Sequence, residues 1–244
     1  MFFQGRADAV YLAEVTDGVP GPYKLQICPD TFSIELRTDS FEHISKCGPV
    51  DVPDYRGIKS SSGTLTFAFA HVEDANYALA VLGTVTPAGT SDNVVAEALP
   101  DNIEAGDVVF LGGLTRHRNI TGLTFGTPLV EDTDYTLDAA SGKVTFLTDQ
   151  GSIQTASYGY TDPQSVSMLS ASQKEYAVMF ENINKANSND PGSIELYRVR
   201  FDPAGNMDYL SDELQVPSLS GSVLADQTKD ASDTEFGQFG RRVL

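Results

Sequence analysis

The chain has 244 residues, 41% hydrophobic and 9% aromatic, enough apolar material for a buried core and too much for global disorder. Its 34 acidic and 16 basic side chains leave a formal charge of −18. That balance argues against tight binding to DNA or anionic membranes, which needs Lys and Arg to displace counterions, and otherwise serves solubility. Two cysteines, Cys28 and Cys47, are too few for a secreted disulfide framework and point to reduced thiols in a cytoplasmic product, though the sequence leaves their pairing open. No window approaches ~18 apolar residues, and Arg6 and Asp8 lie where a signal peptide would carry its apolar run; neither a secretion signal nor a membrane span is expected.

Taken in order, residues 1–23 read as an arm ending in a short strand over 9–15 and the Asp17-Gly18 turn. Residues 24–47 follow, KLQICPDTFSIELRTDSFEHISKC, with a break at Cys28-Pro29. Here Phe32, Ile34 and Leu36 alternate with Ser33, Glu35, Arg37 and Asp39, which predicts a long strand with one apolar and one charged face. After Ser40 the phase slips, since Phe41 and Ile44 fall out of step, and a bulge or bend is expected there. Gly48 to Gly63, GPVDVPDYRGIKSSSG, reads as a long loop, either a contact surface or a mobile surface segment. Thr64 to His71 is a second strand with Leu65, Phe67 and Phe69 on one face, and Glu73 to Gly83 is the one convincing helix, opened by acids and stopped by glycine.

From Thr84 to Asp162 the texture changes to short strands separated by turns: 107–111, 120–125, 135–137, 143–147 and 155–158. The phrase from Asp134 to Phe146 is a hairpin with a Ser-Gly turn. This block is read as an inserted β subdomain over 86–163, the alternative being that it lengthens the main sheets. Strands resume at 175–182 and 194–201, and a last strand pair is expected over 213–224, with Pro217 confining it to an edge or a bulge. In the acidic, glycine-rich tail, Phe236 and Phe239 need somewhere to dock, a neighbouring subunit being one place.

Three passages carry a resemblance: GPYKLQICPDTFSIELRTDSFEHISKCG at 21–48, the strand passing into EDANYALAVLG at 73–83, and the succession from Phe180-Glu-Asn182 to LYRVRFDP at 196–203. They resemble the major tail tube proteins of long-tailed, siphovirus-type bacteriophages. The resemblance covers about 5–85 and 165–240. It implies a mostly β fold of two packed antiparallel sheets, a β-sandwich with one flanking α-helix, over 1–85 and 164–244. It further implies homohexameric rings stacked into a hollow tube, through which genomic DNA passes without specific binding. The implied partners are the chain itself and the tape-measure, tail-tip and tail-terminator proteins. The implied place is the virion tail, after synthesis in the host cytoplasm. On that picture Glu35 and Asp39 are candidates to face the lumen as an acidic lining that repels phosphate, an ordinary outer face being the alternative. Within the Gly48–Gly63 loop, Val50, Val52 and Tyr55 are candidate apolar anchors between rings, with Asp51, Asp54, Arg56 and Lys59 as rim charges.

No motif calls for catalysis, a metal or a cofactor. His43, His71 and His117 are far apart in sequence, and no nucleophile-elbow, phosphate-loop or dinucleotide pattern occurs. Glu131, Asp132, Asp134 and Asp138 lack the spacing and central glycine of a calcium loop, and Asp226, Asp230 and Asp233 read likewise as solvated turns. Asn119 opens a glycosylation sequon, which has no use in a prokaryotic cytoplasm. The competing reading is a carbohydrate-binding or adhesin-type β module on a virion or cell surface, against which the absence of Trp weighs.

Overall fold

A computed structural model describes residues 5–27, 29–47, 50–69, 73–151, 154–186, 188, 190–207, 209–210, 217–230 and 232–243. The expected strand pair over 213–224 lies partly outside this set, as do Cys28 and His71. The chain is mostly β, with antiparallel sheets and, among the described residues, a single helix. It divides into two compact units, one formed by 1–84 with 167–244 and the other by 85–166.

In the first unit, β1 (Gly5–Thr16) turns through Asp17 and Gly18 into β2 (Val19–Pro20). Both turn residues have positive φ, 52° and 79°, the conformation a two-residue hairpin turn needs and one that an Asp-Gly pair adopts readily. β3 (Lys24–Ile27) lies along β1, whereas β4 (Pro29–Ser45) pairs with β5 (Val52–Phe69) at the other end of the sheet. The remaining strands are β14 (Glu175–Asn184), β15 (Asp190–Asp202), β16 (Ser218–Val223) and β17 (Gly240–Val243). They complete one nine-stranded sheet in the order β2-β1-β14-β15-β16-β5-β4, with β3 added to β1 and β17 to β15.

Two separate sheets were expected from the resemblance; hydrogen bonding instead joins the layers into one. β3 and β4 follow each other in the chain but sit at opposite ends of the strand order, so the sheet curls until its ends meet. Inside the curl, Phe32 of β4 stacks on Phe180 of β14 at 4.1 Å between ring centroids, and Phe67 meets both Phe69 and Phe201 edge-on. Val10, Leu12, Leu65, Val178, Val199 and Leu219 fill the rest of this core.

The helix, α1 (Asp74–Ala80), lays Asn76, Ala78 and Ala80 against the core. Its end differs from expectation in one respect: Leu82, not Gly83, takes the left-handed backbone, at φ 47°. Gly83 N–H reaches back to the Ala78 carbonyl at 2.7 Å, and Leu82 N–H to that of Leu79 at 3.3 Å, the Schellman pattern. The glycine is needed because a Cβ there would collide with the carbonyl of Ser167.

The second unit holds a three-stranded sheet of β10 (Tyr135–Asp138), β11 (Lys143–Phe146) and β8 (Val108–Phe110). A second three-stranded sheet contains β7 (Ser91–Ala98), β12 (Thr155–Thr161) and β9 (Arg118–Phe125), and β6 (Val85–Thr86) pairs with β13 (Ser165–Val166). Leu111, Val144, Phe146 and Ala156 are fully buried in its own core. β7 escapes the sequence pattern because Val94 and Val95 are adjacent; Ala96 adopts φ 56° in a register shift there, which leaves Val95 exposed. The Ser-Gly hairpin forms as read, with Gly142 at φ 68° and Asp138 accepting from the Ser141 hydroxyl at 2.6 Å. That hydroxyl, and after it the Ser141 amide, hold the Asp138 carboxyl below its ordinary range.

Replacing Phe67 by Ala removes a ring that three other phenylalanines touch, and is expected to cost about 3–5 kcal/mol in urea unfolding. Leu36→Ala, at a side chain 75% exposed, is expected to cost no more than about 0.5 kcal/mol in the same measurement.

Candidate functional site

The β4–β5 hairpin is the feature that the rest of the first unit does not explain. Its strands have 17 and 18 residues, a span of about 55–60 Å each. Only the proximal third is buried: β16 covers β5 from Gly63 to Ala68, and Phe32 and Ile34 meet the core opposite. Beyond that line, 37–45 and 52–62 pair only with each other.

The segment read as a loop is therefore mostly strand. Gly48 to Gly63 is low in apolar alternation and rich in Pro, Gly and Ser, which locally disfavours a strand. What makes it one is β4, whose long edge gives every residue of 52–62 except Asp54 and Lys59 a cross-strand partner. Ser60, Ser61 and Ser62 lie opposite Asp39, Thr38 and Arg37, and Pro53 is tolerated beside Ile44 because the outer edge of β5 is open there. The expected slip after Ser40 appears as a register shift between Asp39 and Ser40, with Lys59 as the extra residue on the partner strand. A second shift follows between His43 and Ile44, where Asp54 is the extra residue.

On one face of this arm Phe41 lies across from Gly57 and 5.8 Å from the ring of Tyr55. The glycine makes room for the ring, since a Cβ at 57 would stand 2.7 Å from it. Leu36, Phe41, Ile44, Val50, Val52, Tyr55 and Ile58 are all exposed, Leu36 at 75% and Ile58 at 68%. Scattered exposed apolar residues are normal, but seven on one ribbon, with both edges open, are not. Of these, Leu36, Phe41, Ile44 and Ile58 were not singled out as site candidates; the phase slip at Phe41 and Ile44 was the available signal.

The charges on the arm are compensated. Glu35 pairs with Arg37 at 2.8 Å, and Asp39 lies 3.9 Å from Lys59. Arg56 lies 3.9 Å from Glu42 and donates to the Ser40 hydroxyl, and Asp54 meets His43 at 2.6 Å. Residues 35–62 hold five acidic and four basic side chains, a net −1 on a chain of −18. Glu35 and Asp39, the candidates for an acidic lining, thus stand in a row of exposed ion pairs.

Phe236 and Phe239 dock on their own chain. Tyr197 donates to the Phe236 carbonyl at 3.0 Å, Arg241 lies over the Phe236 ring, and Phe239 packs against the main core. The backbone of β17 then pairs with β15, and Arg241 reaches Glu195 at 2.7 Å. These contacts give both aromatics a place within the chain itself.

The remaining candidates cap turns. Asp134 accepts from the Val130 amide, and Asp226, Asp230 and Asp233 accept from Thr228, Ser232 and Glu235. Among the described residues no group of three or more His, Cys, Asp or Glu is arranged to hold a metal ion, and no helix is long and apolar enough to cross a membrane. Cys47 is a free, exposed thiol. His117 is buried, stacked on Tyr160 at 3.6 Å, with Nδ1 3.0 Å from the Tyr158 hydroxyl. Tyr158 in turn donates to Glu97, and burial, followed by that carboxylate, pushes its phenol above the ordinary range.

A two-stranded ribbon by itself is marginal in water. In dilute protein the amides of 40–47 and 50–58 are therefore expected to exchange with deuterium within minutes, while those of 65–69 remain protected for hours. Hydrogen-exchange mass spectrometry checks this directly, and equal protection of both segments would contradict the marginal arm.

No curated protein matches the chain. A family model described as "Protein of unknown function UCP028589" matches residues 1–243. The chain therefore belongs to that family over almost its whole length.

Proposed function

We propose that this chain is a structural subunit that assembles with copies of itself into stacked hexameric rings, forming the hollow tail tube of a long-tailed bacteriophage. The observation that carries the reading is the β4–β5 arm: two long open edges and an exposed apolar set that one subunit leaves uncovered. Strand edges of this length pair with other strands, and a closed ring of identical subunits is the arrangement in which every edge finds one. The tail-tube resemblance of 21–48 falls on the first strand of that arm, which supports the same reading independently of its exposure.

Charge fits the assignment. Copies carrying −18 repel one another, and the arm, at net −1, is where approach costs least. The acidic remainder would let duplex DNA pass along a bore without adhering, because phosphates are not offered a cluster of cations. The chain would then act in the virion tail, with the tape-measure, tail-tip and tail-terminator proteins as the partners the resemblance implies, and without catalysis or cofactor.

The test is negative-stain electron microscopy beside sedimentation velocity. The wild-type chain is expected to form rings or tubes as concentration rises, more readily near 0.5 M salt than at low salt, since screening shortens the ~10 Å Debye length of 0.1 M. The Leu36→Glu/Ile58→Glu double variant is expected to keep its urea midpoint and remain monomeric. Tubes formed equally well by that variant would remove the arm from the assembly; a folded wild type that stays monomeric at every concentration and salt would overturn the reading.

A further inference from the structure

The second unit contains a groove of about 440 Å³ on which the proposed assembly through the β4–β5 arm does not call. Its walls are Glu97 to Pro100, at the end of β7, and Val108 to Phe110, which is β8, with Gly113 beside them. β7 and β8 are each the last strand of their own three-stranded sheet, so two open edges border one slot.

The hydrogen-bond phase shows which backbone groups are free. Leu99 N–H donates to the Gln154 carbonyl at 2.9 Å, so by alternation Ala98 turns its amide and carbonyl away from β12. On the other wall Phe146 N–H donates to Asp107 and Leu111 N–H to Gly142, both at 2.9 Å, so Val108 and Phe110 turn theirs away from β11. The side chains of Val108 and Phe110 are exposed, and Pro100 and Val109 add to the apolar lining.

Charge says what kind of segment fits. Glu97 stands in the wall, its carboxylate fixed by the Gly112 amide at 3.0 Å and by the Tyr158 hydroxyl. Asp101, Glu104 and Asp107 lie on the connection between the two walls. Arg116, the cation nearest in sequence, is spread over the Phe110 ring at 3.8 Å. Residues 85–166 hold eleven acidic and three basic side chains, a net −8.

We propose that this groove binds an extended, basic segment of a partner protein by strand addition. Alternate apolar side chains of that segment enter the slot, and its Lys or Arg residues meet the acidic rim. β8 is three residues long, so the pairing covers about 10 Å of chain. The surface is separate from the β4–β5 arm and lies wholly within the second unit, so its failure and that of the tube assignment are distinguishable.

The experiment uses the full chain and two fluorescein-labelled heptapeptides, Lys-Val-Lys-Val-Lys-Val-Lys and its Glu-for-Lys counterpart, followed by fluorescence anisotropy. The lysine peptide is expected to bind at least about tenfold more tightly than the glutamate peptide, and to weaken as salt is raised. Hydrogen exchange is expected to slow at 97–100 and 108–110 on binding. Phe110→Lys, checked for an unchanged circular dichroism spectrum, is expected to lose about tenfold in affinity. Equal binding of the two peptides, an unaffected Phe110→Lys variant, protection elsewhere in the chain, or no anisotropy change up to about 1 mM protein would each overturn the proposal.

Discussion

Ile27 ends a strand paired to β1, and Pro29 begins a strand at the far end of the same sheet. With consecutive Cα atoms ~3.8 Å apart, the two strand ends cannot be separated by more than about 8 Å. That covalent limit forces the nine-stranded sheet to curl, and the core of the first unit is what the curl encloses. The Phe32–Phe180 stack joins β4 to β14 across the enclosure, and the Phe67 cluster fills it. Cutting the link between β3 and β4 would leave the same hydrogen-bonded ladder with nothing to bring its ends together.

The curl also decides how much of the β4–β5 hairpin is used. The core takes Phe32, Ile34, Leu65, Phe67 and Phe69, and β16 runs out at Val223 opposite Gly63. Everything beyond is surplus to the subunit's own stability: a ribbon with water on both faces, open on both edges, and near-neutral on a strongly acidic chain. Its ion pairs are exposed, and pairs of that kind are worth little to folding. Residues that stabilise nothing within a subunit are reasonably spent between subunits, and this is the physical content of the assembly proposal.

Legibility from sequence followed the strength of the local pattern. Alternation at Phe32 to Asp39 and at Leu65 to Phe69 located the two strands that matter most, and the slip at Phe41 announced a bulge before any partner was known. Asp17-Gly18 and the glycine of Ser141-Gly142 located their turns, because so few residues accept the positive φ seen at Asp17, Gly18 and Gly142. Val52 to Ser62 was illegible for the opposite reason: apart from Tyr55, nothing in Pro-Asp-Tyr-Arg-Gly or Ser-Ser-Ser prefers a strand, and the edge of β4 makes them one. β7 was hidden by a bulge that breaks its alternation, and β17 by a glycine-rich context that reads as a tail.

The amino-acid sequence by itself determined that this is a mostly β, acidic chain with one short helix between its second long strand and a block of different texture. Those properties are sums over composition and short-range periodicity, and need no knowledge of what lies across the sheet. Tertiary structure alone decided that the sheet is continuous and curled, that the supposed loop is half of a protruding ribbon, that Glu35 and Asp39 stand beside cations, and that Phe236 and Phe239 are satisfied within the chain. Each of these depends on pairing between residues far apart in sequence, where the energy lies in a contact and neither partner carries the signal alone.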